Sequence, residues 1–333
     1  MALGDSYTAG FGYYDDGVEW DDLFACTDTE DVVVKNNPCS SNSMLRSMKG
    51  DLQFAPDYGF ANQVSWAAQV ANALGVTAAT AADLYANVAV SGSTASEWAN
   101  DKLVFEQFDG ANGLDAVASL DPDIVLMTLG GNPTLSKVLL GGAADCQKYD
   151  KPVQAAPLLE CFAKLIDEDA TIPSLATVYQ RLLDSTDAEV MVLTYPQVIP
   201  QLGLTIGGWS PEALLLARDA LNGAVMQAVD QVRKEHAEGA RLLTADPQFG
   251  VGLPPGDFTS EADCFGLAKK ADGTDGPSNQ SALTQELFAE DFAKSGWCAG
   301  PPWTIAADTG VHPNVTGYAE LARVALEELG AQP

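Results

Sequence analysis

Apolar positions along the chain fall into two kinds of segment that alternate. Short, mostly apolar segments bounded by turn-forming residues are typical of buried strands, and they cover residues 2–4, 84–90, 123–128, 189–194 and 241–244. Longer segments with apolar residues every three or four positions predict helices, over residues 60–74, 157–166, 172–183, 210–237 and 315–329. Strands separated by helices predict a parallel sheet covered on both faces. We therefore expect one α/β domain over residues 1–333.

Three long stretches interrupt this alternation, at about residues 13–56, 135–157 and 247–303. They are polar or rich in Gly and Pro, and loops of this length are usually functional or held in place. The six cysteines allow 15 pairings but form three pairs that are local in sequence. We predict disulfides at Cys26–Cys39, Cys146–Cys161 and Cys264–Cys298, which would hold the three loops.

Three disulfides imply an oxidising compartment, so we expect a secreted or cell-surface protein. The alternative is a cytosolic protein with six free thiols. The chain begins almost inside its first predicted strand. We expect that a leader segment preceded this strand and was removed.

The balance of charge is strongly acidic, with 46 Asp and Glu against 17 Lys and Arg and a net charge of −29. Nucleic-acid binding needs a basic surface, so we expect no such partner, nor docking on an anionic membrane. No apolar run approaches the ~20 residues of a membrane span, so we expect no stable membrane insertion. A highly solvated surface and adaptation to high salt both fit this composition.

The first candidate for chemistry is Ser6, which follows an apolar residue and Gly4-Asp5 at the end of the first predicted strand. Active sites of parallel α/β sheets lie at the carboxyl ends of the strands. Ser91-Gly92 and Gly130-Gly131-Asn132 also follow predicted strands. We therefore expect these three segments to meet at one edge of the sheet.

A serine nucleophile needs a base, and the chain has two histidines. His236 lies among charged residues near a predicted helix end, where we expect it to be exposed to solvent. His312 lies in Gly310-Val311-His312-Pro313-Asn314, directly before the last helix. We favour His312 as the base; its alternative role is to cap that helix.

A tetrahedral intermediate needs fixed donors for its oxyanion. Three candidates are the backbone N–H groups of Ser6 and Gly92 and the side-chain amide of Asn132. Glycine permits close approach of the backbone, and Gly130-Gly131 fits a tight turn that aims the amide inward. Taken alone, this segment could equally be an ordinary turn stabilised by Asn132.

With Ser6, Gly92, Asn132 and His312 in this order, the chain resembles the SGNH (GDSL-type) hydrolases, and more closely their secreted actinobacterial esterase, lipase and phospholipase branch. The resemblance spans the chain, and its supporting segments are Ala2 to Tyr7, Ala89 to Thr94, Leu129 to Asn132, Thr194-Tyr195-Pro196, Cys298 to Trp303 and His312-Pro313-Asn314. It implies a three-layer α/β/α sandwich with a five-stranded parallel sheet in flavodoxin-like order. It also implies a serine carboxylesterase or lipase, and three disulfides are typical of this branch.

The chain departs from the family pattern at three positions. Tyr7 replaces leucine, which is common in this branch, and Pro133 follows Asn132 where aspartate is usual, which predicts a local change of turn. Thr309 stands where the family has the aspartate that orients the histidine. Either Asp308, one residue earlier, orients His312, or a main-chain carbonyl near residue 309 does so in a Ser–His dyad.

The expected substrate is a small-molecule or lipid ester, cleaved by a monomer without a cofactor. Two other reactions use the same machinery, namely phospholipase A activity and O-deacetylation of a polysaccharide. A non-catalytic binding module is the alternative of a different class. We expect no metal: residues 15–31 are acidic but lack the spacing of a calcium loop, so a solvated loop is favoured.

Overall fold

The positions of the site residues follow from a parallel sheet and the helices around it. The computed structural model describes residues 1–9, 32–34, 65–77, 79–90, 92–105, 108–139, 142–196, 209–247 and 315–331. Several predicted features lie outside these residues: the Cys26–Cys39 and Cys264–Cys298 disulfides, Ser91, Asp308, His312, the acidic run and most of the loops 13–56 and 247–303.

The described residues form strands and helices that alternate along much of the chain. The strands are β1 (Ala2–Gly4), β2 (Val32–Val34), β3 (Leu103–Phe105), β4 (Ala111–Asn112), β5 (Ile124–Thr128), β6 (Glu189–Leu193) and β7 (Leu242–Ala245). The helices are α1 (Ser6–Ala9), α2 (Trp66–Ala73), α3 (Ala81–Leu84), α4 (Ala95–Ala99), α5 (Gly113–Ser119), α6 (Thr134–Leu139), α7 (Ala144–Gln147), α8 (Ala155–Glu168), α9 (Thr171–Ser185), α10 (Pro211–Glu235) and α11 (Val315–Glu328).

The main sheet is parallel, with the strand order β1-β5-β6-β7. Residues 86–90 run beside the free edge of β1: the N–H of Ala2 donates to Ala86 O at 2.8 Å, and the N–H groups of Val88 and Val90 donate to Ala2 O and Gly4 O at 2.9 Å. A parallel bridge joins Ala2 and Asn87. The spatial order of the five segments is therefore 2-1-3-4-5, the flavodoxin-like order, and the predicted fold class is confirmed.

The predicted strand over residues 84–90 is only partly correct. Leu84 is the last residue of helix α3, which begins after the Thr77–Thr80 turn, where the Thr80 hydroxyl accepts the N–H of Thr77 at 3.0 Å. Among the described residues, the segment that follows pairs with β1 alone. Asn87 Oδ1 accepts the N–H of Ala89 at 3.1 Å, so a side chain of the same segment satisfies this backbone donor.

Side chains of the main sheet alternate between two hydrophobic clusters, as the two-residue repeat of strands requires. Leu3, Val125 and Met127 pack on one face, in a cluster that includes residues of α4, α5, α9 and α10. Ala2 and Leu126 pack on the other face, with residues of α2 and α11. Helices on both faces of one sheet make the three predicted layers.

A second sheet was not predicted from the sequence. In it β3 pairs in parallel with β2 and antiparallel with β4. Strands of two or three residues are too short to produce a periodic pattern. Leu103 and Phe105 of β3 are nevertheless fully buried in the cluster that contains Leu3.

The stretch 135–157 was expected to be irregular, but it contains most of α6, all of α7 and the first residues of α8. A separate hydrophobic cluster holds these short helices against the start of α10; its buried members are Val138, Ala143, Cys146, Leu158, Phe162, Trp209, Ala213, Leu214 and Ala217. The predicted Cys146–Cys161 disulfide joins α7 to α8, with 5.7 Å between the Cα atoms. Tertiary packing stabilises helices that are too short to form alone.

The other helices lie close to their predicted positions. Helix α10 begins as expected, with Ser210 Oγ accepting the N–H of Ala213 and Pro211 in the first turn. Helix α2 starts later than predicted: Ser65 is extended and its Oγ accepts the N–H of Ala68 at 3.1 Å. An N-cap there begins the helix at Trp66, not at residue 60. Among the described helices, none is both long and apolar enough to cross a membrane.

Candidate active site

Ser6 lies where β1 ends and the short helix α1 begins, and its side chain is almost completely buried. The turn depends on Gly4, whose φ is +137°. A Cβ atom at this position would lie 2.3 Å from the carbonyl oxygen of Thr128, at the end of β5. Only glycine allows the two strand ends to approach this closely, so the residue before Asp5-Ser6 is fixed by packing.

Hydrogen bonds between β1 and β5 continue beyond the strands and orient α1. The N–H of Asp5 donates to Thr128 O at 2.9 Å. In return, the N–H of Thr128 donates to Thr8 Oγ1 at 2.7 Å. Ser6 lies between these two attachments, so its position relative to the end of β5 is determined at both sides.

The Gly92 segment is attached to the same strand end. Gly92 has a φ of +75°, and Ser93, the next residue, is fully buried. Ser93 Oγ donates to Gly4 O at 3.1 Å and accepts the indole N–H of Trp98 at 3.0 Å. These bonds hold the turn after residues 86–90 next to the segment that carries Ser6.

Asn132 completes the junction. It follows Gly130, which has a φ of +113°, and Gly131, and the Asn132–Pro133 peptide is cis. The Asn132 amide Nδ2 donates to Ser93 O at 3.3 Å. The structure therefore brings the Ser6, Gly92 and Asn132 segments together at the carboxyl edge of the sheet, through Gly4 and Ser93.

Tyr195 is a further residue at this edge, and sequence reasoning gave it no role. It follows β6, is fully buried, and donates its hydroxyl proton to Asp5 Oδ2. The same hydroxyl oxygen accepts the N–H of Gly131 at 2.7 Å. The signal for it in the sequence is a tyrosine directly after a strand at the edge that carries Ser6.

Burial dominates the electrostatics of this group of residues. It raises the pKa of the Asp5 carboxyl from 3.8 to about 7, although Asp5 accepts hydrogen bonds from Tyr195 and from the N–H of Tyr7. Burial and the neighbouring Asp5 raise the pKa of Tyr195 well above its usual value. The phenol is therefore a neutral donor, and Asp5 is the group that titrates near neutrality.

A sequence model of GDSL-like lipases and acylhydrolases matches residues 1–325. The chain belongs to the GDSL-like lipase/acylhydrolase family. This membership agrees with the observed strand order of the main sheet. No curated protein matches the chain.

Solved structures similar to this GDSL-family chain include three hydrolases. The extracellular lipase of Streptomyces rimosus is 19% identical, with 98% of this chain and 97% of that chain covered and a TM-score of 0.46. Phospholipase A1 of Streptomyces albidoflavus NA297 is 19% identical, with 98% and 96% covered and a TM-score of 0.42. A variant of the acetyl xylan esterase Axe2 of Geobacillus stearothermophilus is 15% identical, with 100% and 94% covered and a TM-score of 0.41.

One of the two histidines of this GDSL-family chain lies away from Ser6. His236 ends α10, and its ring Nε2 lies 3.0 Å from Asp184 Oδ1 in the last turn of α9. Its side chain is only 16% exposed, so the expectation of an exposed histidine was wrong: the ring is held by Asp184 and by the N–H of Glu238, which donates to Nδ1 at 3.1 Å.

The Asp184–His236 pair lies at the amino edge of the sheet, because α9 leads into β6 and α10 leads into β7. Ser6 lies at the carboxyl edge. The five residues of β6 alone separate the two edges by about 16 Å. His236 is therefore too far away to accept a proton from Ser6.

Proposed function

We propose that this GDSL-family protein hydrolyses carboxylic esters through an acyl-enzyme on Ser6. The observation that carries the proposal is the hydrogen-bonded junction of the Ser6, Gly92 and Asn132 segments at the carboxyl edge of the sheet. These segments carry a serine hydroxyl, a glycine N–H and a side-chain amide, which are the groups that acyl transfer requires. Family membership supports ester hydrolysis independently.

In the proposed mechanism, Ser6 Oγ attacks the ester carbonyl carbon while His312 accepts the hydroxyl proton. The N–H groups of Ser6 and Gly92 and the Asn132 amide donate to the resulting oxyanion. The C–O bond to the alcohol breaks as His312 returns the proton to the leaving oxygen. Water then attacks the acyl-Ser6 ester with the same proton transfers, which releases the acid and restores Ser6.

His312 is proposed as the base on two grounds. The chain has two histidines, and His236 is held by Asp184 at the opposite edge. His312 precedes α11 by three residues, and Tyr318 of α11 belongs to the same hydrophobic cluster as Tyr7 and Tyr195. The start of α11 is therefore on the side of the sheet that packs against α1.

Either Asp308 or a main-chain carbonyl near residue 309 is proposed to orient His312. Asp308→Asn keeps the size of the side chain and removes its charge. A fall in kcat of ~10⁴-fold would assign Asp308 to a triad, as loss of the orienting carboxylate does in serine proteases. Unchanged kcat would assign a Ser–His dyad.

Secretion is proposed as well, since the Cys146–Cys161 disulfide is typical of oxidising compartments. The proposed substrates are small-molecule or lipid esters. Phospholipase A activity and polysaccharide O-deacetylation are variants of the same chemistry, and assays on phospholipid and on acetylated xylan separate them.

The test is hydrolysis of p-nitrophenyl esters from acetate to palmitate by the full chain, at low and high salt. Ser6→Ala and His312→Ala should each lower kcat by at least about 10³-fold. His236→Ala is the matched control and should retain kcat within twofold. The preferred chain length distinguishes an esterase from a lipase.

Two outcomes would contradict the proposal. Activity that persists in Ser6→Ala would place the nucleophile elsewhere. No activity on any chain length, on phospholipid or on acetylated xylan would leave the non-catalytic binding module as the account of this site.

A further inference from the structure

We propose that Tyr195 is a positioning residue that fixes the Asn132 amide relative to Ser6 by holding Gly131 and Asp5 in one hydrogen-bonded chain. The inference rests on the proposed function, because it assigns Asn132 to the oxyanion. It concerns the ends of three strands: β1, which leads to Asp5 and Ser6; β5, which leads to Gly131 and Asn132; and β6, which leads to Tyr195.

The hydrogen bonds run in one direction through the tyrosine hydroxyl. The N–H of Gly131 donates to the hydroxyl oxygen at 2.7 Å, and the hydroxyl donates to Asp5 Oδ2. Asp5 Oδ1 accepts the N–H of Tyr7 at 3.0 Å. One buried group therefore links the residue before Asn132 to the residues on both sides of Ser6.

The ring of Tyr195 also limits sterically how closely Gly131 can approach α1. A Cβ atom on Gly131 would lie 2.9 Å from Cζ and from the hydroxyl oxygen of Tyr195, so the backbone of Gly131 lies directly on the ring. The ring in turn meets the ring of Tyr7 edge to face, with 5.2 Å between centroids. Tyr195 therefore fills the space between the Asn132 turn and α1.

Tyr195 is itself held by α10. Asn222 Oδ1 accepts the N–H of Tyr195 at 2.9 Å, and Asn222 Nδ2 donates to Tyr195 O at 2.8 Å. This pairing of one amide with both backbone groups fixes where the ring enters the site. Through Tyr195, the pairing connects the turn that carries Asn132 to α10, a helix of 25 residues, rather than to a loop.

Loss of the Tyr195 hydroxyl alone would break the hydrogen-bonded link between Gly131 and Asp5. In Tyr195→Phe, the N–H of Gly131 and the carboxyl group of Asp5 would be buried without this partner, which favours movement of the turn that carries Asn132. Since Asn132 follows Gly131 directly, its amide would move with it. An oxyanion donor acts mainly in the transition state, so we expect an effect on kcat with little change in KM.

The chain provides a matched control in Tyr179. This tyrosine is also fully buried, but within the described residues its hydroxyl has no hydrogen-bond partner. Tyr195→Phe should lower kcat for the preferred p-nitrophenyl ester by ~10–100-fold, less than the 10²–10³-fold typical of deleting an oxyanion donor. Tyr179→Phe should change kcat by less than about twofold.

A double-mutant cycle distinguishes positioning from general structural support. If Tyr195 acts through Asn132, adding Tyr195→Phe to Asn132→Ala should lower kcat by less than threefold further. Asn222→Ala, which keeps the hydroxyl but removes both bonds to the Tyr195 backbone, should lower kcat by ~3–10-fold with the same dependence on Asn132. This second variant serves if Tyr195→Phe does not fold.

The result separates the inference from the proposed function. The positioning role is wrong, and the proposed function stands, if activity depends on Ser6 and one of three results is found. Tyr195→Phe has the same kcat as Tyr179→Phe, or it changes KM alone, or it lowers kcat by the same factor in the wild-type protein and in Asn132→Ala. If the wild-type protein hydrolyses no ester, the proposed function fails and the inference with it.

Discussion

Replacement of Asp5 by asparagine should change how the stability of this protein depends on pH. Asp5 is fully buried, and burial raises its pKa from 3.8 to about 7. Asparagine has nearly the same size and remains uncharged at every pH. The difference in unfolding free energy between the wild-type protein and Asp5→Asn therefore reports the titration of this one carboxyl.

The sign follows from the protons bound in each state. Between pH 4 and 7 the native protein keeps the Asp5 proton, whereas the unfolded chain has released it, so stability falls as pH rises. The stability that the protonated Asp5 carboxyl gives the native state is fully present below the unfolded pKa of 3.8 and is lost as pH rises through the native pKa. A rise of about three pKa units corresponds to about 4 kcal/mol, a large part of the 5–15 kcal/mol typical of a domain.

The assay is urea unfolding at unit steps from pH 4 to pH 8, for the wild-type protein and Asp5→Asn. Asp83→Asn, at an exposed position, controls for the change in net charge. We expect the wild-type protein to lose about 4 kcal/mol relative to Asp5→Asn across this range, most steeply near pH 5–6. A difference that stays constant, or that grows in favour of the wild-type protein as pH rises, would refute this account of Asp5.

Two further predictions concern the backbone and the disulfide. Gly75 has a φ of +96° and open space around its Cβ position, so Gly75→Ala should lower the free energy of unfolding by about 1–2 kcal/mol from backbone strain alone. Gly4→Ala should lower it by at least about 2 kcal/mol more, because the new Cβ would meet Thr128 O. Equal losses in urea unfolding would contradict the packing argument for Gly4. Cys146→Ala with Cys161→Ala opens a loop with a sequence separation of 15 and should lower stability by about 3 kcal/mol; a non-reducing peptide map without the 146–161 crosslink would contradict the predicted pairing.

The sequence predicts the main sheet because its strands are short apolar segments bounded by turn-forming residues. Tyr195-Pro196 ends the segment of β6, and Ser210 with Pro211 marks the start of α10. The position of Ser6 at the carboxyl edge follows from the parallel order alone. These features depend on residues close together in the chain, so a sequence pattern contains them.

The features that the sequence does not predict depend on residues far apart in the chain. Helices α6 and α7 are held by the cluster around Trp209, about 70 residues away. The role of Tyr195 depends on Asp5, 190 residues earlier, and the His236 ring contacts Asp184 in another helix. No local pattern records such contacts.

Covalent labelling with a fluorophosphonate tests the central claim most directly, because the probe needs an activated serine but no knowledge of the substrate. We predict one adduct per chain, mapped by peptide mass to Ser6, and none in Ser6→Ala. His236→Ala should label at the wild-type rate, and His312→Ala should label far more slowly. An unlabelled wild-type protein, or an adduct that persists in Ser6→Ala, would contradict the assignment of Ser6 as the nucleophile.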